Sequence, residues 1–185
     1  MKNYFLFSLL IITILSCSKQ TPLAEKFNCK SMDVNGFETI YDFNKNFKIP
    51  IPNTWKTNLY YDKLESSIFA ADTLKQLTDS YIIGASFTFG KVNFNEDFSK
   101  KTDSILSINS LSKVDEGNES FQANQTYWYL AKGSKNGFDY HQFNMTVKLS
   151  ENTYFNTYSE VYGDENINER ICESISILEN VKFLQ

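Results

Sequence analysis

Side chains able to carry chemistry are few in this chain. There is one histidine, His141, so a Ser-His-Asp or Cys-His device would have to be built on that imidazole. His141 shares strand parity with Phe143, Met145 and Val147. It is therefore expected to point into the covered face of a sheet, near its end, as a structural residue. Carboxylates are numerous enough to furnish a glycosidase pair, but no spacing selects one. Asp115-Glu116 and Asp164-Glu165 stand beside turns, where a solvated loop and a helix cap account for them. The sequence holds no G-x-S-x-G, H-E-x-x-H, P-loop or G-x-G-x-x-G pattern. It also lacks the D-x-D-x-D-G run of a calcium loop. The expectation is a chain that is not an enzyme, with no cofactor and no metal.

A binding surface is easier to place than a catalytic one. Alternate residues of a strand share a face, so Tyr154, Tyr158 and Tyr162 fall together, interleaved with Asn156 and Glu160. Tyr127 and Tyr129 can flank them on a neighbouring strand. Such an aromatic and polar face suits a glycan, a peptide or a small molecule. It equally suits packing under a helix, because tyrosine buries its ring and leaves its hydroxyl wet. Trp55 and Trp128 read as core anchors.

The N-terminus reads as an address. Lys2 precedes an apolar run from Phe5 to Leu15, broken only by Ser8 and Thr13. That run has the length of a signal-peptide core and falls short of the roughly 20 residues that a spanning helix needs. At its end, Ile14-Leu15-Ser16-Cys17 resembles the lipobox of bacterial lipoproteins. The resemblance implies a diacylglycerol thioether on Cys17, cleavage after Ser16 and acylation of the new amino group. Residues 1–16 would then be signal peptide, 17–26 a lipidated tether and 27–185 a single globular domain. Ser18 after the cysteine implies outer-membrane sorting within the cell envelope, facing either the periplasm or the exterior. A polar tether from Ser18 to Glu25 would span at most about 28 Å.

With Cys17 given to lipid, Cys29 and Cys172 remain. They are too few, with one histidine, for a zinc site. In an oxidising compartment they can form one disulfide; otherwise they are two buried thiols. The formal charge of −4 and the absence of a basic block exclude nucleic acid as a natural partner. The expected partners are the membrane, through the lipid, and an envelope protein.

The elements that must position these residues are mostly strands. Aromatic residues make up 16 % of the chain, against three prolines and seven glycines, which favours sheet over disorder. Asn35-Gly36 marks a turn. Phe47, Ile49 and Ile51 alternate, but Pro50 and Pro52 make this segment an edge strand or a strand end. Short β runs follow at 59–64 and 67–71, then a loop or single helical turn at 73–79. The clearest early strand is 81–89, with Ile83, Ala85, Phe87 and Phe89 on one face. A helix is expected over 95–111, capped by Asn93 or Asn95, with a stripe of Phe94, Phe98, Ile105, Ile108 and Leu111. A weak strand at 114–121, a hairpin of 127–132 with 138–149, and a strand at 153–162 come next. Asp164 would cap a last helix carrying Ile167, Ile171, Ile175 and Leu178, before a short strand at 181–184.

This order of strands, helix, meander and helix predicts an α+β fold. Phe47-Lys48-Ile49-Pro50-Ile51-Pro52-x-x-Trp55 resembles the opening strand and Pro-x-x-Trp turn of the PsbP/DcrB-like superfamily. The Tyr127-Trp128 hairpin and the final helix with its closing strand fit the same order. The resemblance implies an α/β/α sandwich, with a central, mostly antiparallel sheet flanked by two main helices. It also implies relatives that are mostly non-enzymatic, among them photosystem subunits, a Ran-binding protein, secretion chaperones and bacterial lipoproteins. No functional residue of that superfamily transfers to this chain.

Overall fold

A computed structural model describes residues 21–30 and 32–184. Cys17 and the signal segment lie outside the described residues. Seven strands form the main sheet: β3 (Lys56–Tyr61), β4 (Glu65–Ala71), β5 (Tyr81–Phe89), β6 (Leu111–Phe121), β7 (Asn124–Lys135), β8 (Phe138–Lys148) and β9 (Thr153–Tyr162). Their spatial order is β3-β4-β5-β9-β8-β7-β6, and every pairing is antiparallel. A three-stranded sheet of β1 (Glu38–Tyr41), β2 (Phe47–Ile51) and β10 (Lys182–Phe183) packs separately, in the order β1-β2-β10. Among the described residues there are also three α-helices, α1 (Pro22–Lys26), α2 (Glu96–Ile108) and α3 (Ile167–Leu178), and one 3-10 turn at Leu77–Asp79.

Alternation sorts the main sheet into two faces. Ile83, Ala85, Phe87, Phe143, Met145, Val147, Phe155 and Val161 point one way. They join Ile171, Ile175 and Leu178 of α3 and Phe47, Ile49 and Ile51 of β2 in one buried cluster. Tyr127, Tyr129, Ala131, Tyr140 and Tyr162 point the other way and gather Leu106 of α2 with Leu111. The connection from β5 to the far-edge strand β6 runs through α2, and the chain then returns strand by strand to β5. α2 and α3 thus lie on opposite faces, giving the α/β/α layering.

Several boundaries differ from expectation for identifiable reasons. The stretch expected as tether ends in α1, where the Thr21 side chain accepts from the Ala24 N–H at 3.1 Å, and Leu23 and Ala24 are buried. Residues 21–26, expected as tether, therefore pack on the domain. A five-residue helix carries too short an apolar pattern to show in sequence. β2 is the middle strand of its sheet, not an edge. Pro50 is tolerated because β10 pairs only with Phe47 and Lys48, so no ladder bond is lost beyond them. In α2 the inward side is Phe98, Thr102 and Leu106, while Ile105 and Ile108 face solvent. Asn95 caps it, accepting from the Phe98 N–H at 3.0 Å. Asn166, not Asp164, precedes α3, in the left-handed region and without a side-chain cap.

Cys29 and Cys172 are joined in a disulfide with Cα atoms 5.1 Å apart. The bond fastens the segment after α1 to α3. Phe27 stands edge-on to Trp128 at 5.3 Å and to Phe143 at 5.8 Å, completing that attachment. A disulfide of this kind fits an extracytoplasmic location. Among the described residues no helix is long and apolar enough to cross a membrane.

Candidate functional site

Because α2 covers only the β6–β7 side of its face, the rest of that face stays open. The uncovered part is a groove of about 530 Å³ between α2 and the sheet. Its floor comes from alternate residues of three adjacent strands. They are Ser86 and Thr88 of β5, Tyr154 and Asn156 of β9, and Asn144 and Thr146 of β8. Phe98, Thr102 and Ile105 of α2 form the opposite wall, and Tyr129 closes the inner end. Asn93 and Asn95 stand at the mouth, with a balanced rim of Glu65, Asp97, Lys91 and Lys101.

The floor is a neutral hydrogen-bonding surface. Thr146 Oγ1 donates to Asn156 Oδ1 at 2.9 Å and lies 3.4 Å from Asn144 Oδ1. These contacts turn both amide oxygens toward the one hydroxyl. The Tyr129 phenol is pushed up to about 12 by burial, against a small opposing pull from Lys113. It is therefore a neutral donor across the ordinary pH range.

The three tyrosines singled out from sequence do share this face but have separate surroundings. Tyr154 lines the groove. Tyr158 is half-buried, with its ring laid over Gly84 and edge-on to Phe69 at 6.4 Å. Burial first, then the Glu160 carboxylate, pushes its phenol up to about 12. Tyr162 is buried beside Tyr140, ring centroids 5.0 Å apart, and donates to Glu160 Oε2 at 3.0 Å. Lys135 reaches Glu160 Oε1 at 2.9 Å and sits 4.7 Å from the Tyr140 ring centroid. That group is a closed structural network.

A second polar cluster lies under α2. Lys113 Nζ is 2.8 Å from both Asp103 Oδ1 and Glu116 Oε2, and Tyr127 donates to the same Glu116 oxygen. Burial opposes the Lys113 charge, but the contacts with Asp103, Glu116 and Tyr127 outweigh it and hold the ammonium above its ordinary value. Hydrogen bonds from Lys113 and Tyr127 hold Glu116 below the usual carboxylate range. Every shift here moves away from neutrality, which strengthens a fixed ion pair rather than preparing a proton for transfer.

His141 lies on the α3 face, beside Lys132, Asp164 and the start of α3. Burial lowers its pKa from the ordinary 6.5. Its Nδ1 is enclosed with no protein partner among the described residues. Trp128 is buried against Phe27 and Phe143, and half-buried Trp55 meets Tyr81 edge-on at 4.9 Å, so both are packing residues. Among the described residues no cluster of His, Cys, Asp and Glu has the spacing to hold a metal.

The groove residues that sequence reading passed over are Asn144, Thr146, Ser86 and Thr88. The signal was present as the polar partners of Phe143, Met145, Val147, Ala85 and Phe87. Alternation marks such residues as outward-facing, and it does not tell whether a helix will cover them.

No protein-family model and no curated protein matches the chain. Solved structures do. Cyanobacterial PsbP (CyanoP) from Synechocystis is similar over 84 % of this chain and 96 % of that one, with a TM-score of 0.61 at 6 % identity. A mutant of Mog1 is similar over 81 % and 97 %, with a TM-score of 0.54 at 8 % identity. LpqN of Mycobacterium tuberculosis, described as involved in cell envelope biogenesis, aligns over 78 % and 88 %, with a TM-score of 0.47 at 11 % identity. At such identities the likeness is one of architecture, and the chain carries the α+β fold of CyanoP and Mog1.

Proposed function

We propose that this chain is a lipid-anchored, non-catalytic binding module of the cell envelope, held by Cys17 in the outer membrane, and that the groove beside α2 receives an uncharged polar segment of an envelope protein. The observation that carries this reading is the polar floor of Asn144, Thr146, Asn156, Ser86 and Thr88 beneath the groove, next to the Tyr154 ring. A concave site whose hydrogen-bonding groups converge beside aromatic rings can hold and orient a polar ligand. Rim charges that cancel make strong steering of a charged ligand unnecessary.

A glycan is the second reading. Amides beside an aromatic ring match the hydroxyls and the apolar face of a sugar, and Tyr154 with Asn144 and Asn156 supplies both. A photo-crosslinking amino acid in place of Tyr154, activated in intact cells, separates the two. A covalent protein adduct that is absent when the probe replaces Ser134 instead supports the first reading. No protein adduct, together with groove amide shifts on adding envelope glycan fragments, supports the second. In either case Asn156→Ala should weaken binding about three- to tenfold, the value of one neutral hydrogen bond. Neither adduct nor shift would remove the groove as a site.

A further inference from the structure

One end of the molecule collects exposed apolar side chains that the core does not use. Phe43, in the turn between β1 and β2, is 54 % exposed and stacks on Tyr61, 59 % exposed, with centroids 3.7 Å apart. Leu64, in the turn between β3 and β4, is 62 % exposed, and Phe89 at the end of β5 is 48 % exposed. Leu184 adds a further exposed side chain. Lys45, Lys63 and Lys182 are exposed around them.

Hydrogen bonds connect this patch to Thr21, the first described residue. Thr21 donates to Glu179 at the end of α3. Gln122, in the turn between β6 and β7, donates to the Val181 carbonyl at 2.6 Å. The Leu184 N–H donates to the Asn46 carbonyl at 2.8 Å, and the Phe89 N–H to the Leu64 carbonyl at 2.7 Å. All these turns lie at the same end of the main sheet. The opposite end carries the Asn136-Gly137 turn, the start of α3 and the exposed side chains of Leu74, Ile108 and Phe138, but not the anchor-proximal Thr21.

We infer that this end docks on the surface of the bilayer that holds the Cys17 lipid, with Phe43, Tyr61, Leu64 and Phe89 at the level of the headgroups. Four residues from Cys17 to Thr21 reach at most about 14 Å, so the end bearing Thr21 is held against the membrane. β7 and β3 are five strand spacings apart, roughly 24 Å, which sets the anchor near one corner and the patch near the other. Two separated contacts fix an orientation that an acyl anchor alone leaves free. Tyr61 has the wet-edged ring that favours a membrane interface, Phe43, Leu64 and Phe89 supply apolar surface to enter it, and lysines there keep their ammonium in the headgroup layer. A lone patch on a soluble face would need a partner to cover it. Here the bilayer is already brought to it.

The inference rests on the proposed lipid anchor, and the experiment separates the two. The full chain, produced with its signal, is inserted in vesicles of phosphatidylethanolamine and phosphatidylglycerol. A nitroxide is placed by Leu64→Cys or, at the opposite end, by Ser134→Cys. At residue 64, collision with a water-soluble nickel chelate should fall several-fold while collision with oxygen rises, and residue 134 should stay water-exposed. A residue 64 label as wet as residue 134, on a chain whose intact mass shows acylated Cys17, overturns the docking and leaves the anchor standing. A residue 64 label shielded from both reagents indicates a second copy or a protein partner and also overturns it. A chain with no acyl mass on Cys17 overturns the anchor and the docking together.

Discussion

Replacing Cys29 and Cys172 together by alanine removes a cross-link that spans 143 residues of sequence. Closing a loop of that length restricts the unfolded chain by about 5 kcal/mol at 25 °C on the chain-entropy account. The native state loses little in exchange. Cys29 is buried against the core, and two sulfurs replaced by hydrogen leave small voids worth about 1 kcal/mol. The sum, about 6 kcal/mol, is a large share of the 5–15 kcal/mol typical of a whole domain. Urea unfolding followed by Trp128 fluorescence in a Trp55→Phe background reads it directly. Trp128 is buried, with Phe27 at 5.3 Å and the Lys26 ammonium 5.9 Å from its ring centroid, so its emission also reports on the α1 segment. The double variant should unfold at markedly lower urea. A red shift of emission should precede the main transition as α1 and Phe27 leave first. An unfolding free energy within about 1 kcal/mol of the wild type would refute the loop-closure reasoning. It would mean that the rest of the fold already constrains the unfolded ends, or that the bond is strained enough to cancel its benefit.

Gly84→Val should cost about 1–3 kcal/mol by overpacking. A Cβ at Gly84 would lie 2.4 Å from the Tyr158 ring, so the ring must swing away; a thermal melt and the loss of Tyr158 ring contacts by NMR check this. The one imidazole should titrate below 6.5 in the folded protein, mainly from burial and secondarily from Lys132 and Arg170, with Asp139 opposing them. A depressed folded pKa means that the unfolded state binds the proton more readily. His141 therefore contributes stability above pH 6.5 that is lost as pH falls through the folded value. His141→Gln should flatten that part of the pH–stability curve, and an imidazole titrating at or above 6.5 would contradict the assignment.

The strands were readable because alternation and burial agree in them. β5, the β7–β8 hairpin and β9 place Phe87, Phe143, Met145 and Phe155 in one core. The turn of that hairpin is Asn136-Gly137, both with positive φ, at 55° and 81°. This is the dipeptide chemistry that a two-residue loop demands. α3 was readable for the same reason, since Ile171, Ile175 and Leu178 recur at helical spacing on a buried face. α2 was readable as a helix but not as to its inward face. With Ile105 and Ile108 exposed, its apolar residues do not describe one stripe. Only Phe98, Thr102 and Leu106, which include a threonine, point inward. The groove was hidden by the same fact. Nothing local to Asn144 or Asn156 records that a helix ending at Ile108, far earlier in the sequence, packs on Tyr127 and stops short of them. The three tyrosines show the limit most plainly. Equal spacing placed them on one face, yet the open groove, Gly84 and the Lys135–Glu160 pair gave each a different environment.

On the proposed lipid anchor, the disulfide and the end inferred to meet the membrane are linked through α1. With Cys29 bonded to Cys172, the link from Cys17 to the folded domain is the four residues before Thr21, a reach of at most about 14 Å. Without the bond, α1 is held by the burial of Leu23 and Ala24, the Thr21–Glu179 hydrogen bond and the packing of Phe27. A five-residue helix has almost no stability of its own, so these contacts must hold it unaided. Each time they open, the first fixed element becomes β1 at Glu38. The link then grows to about 21 residues and a reach of roughly 70 Å. On the proposed anchor and docking, so long a leash would no longer press Phe43 and Leu64 to the bilayer. The concentration of that end at the surface falls as the volume open to it grows. The cysteine double variant, labelled at residue 64 in the same vesicles, should stay bound through its lipid yet regain access to the nickel chelate. Retained protection at residue 64 would show that the aromatic patch holds the surface without help from a short tether.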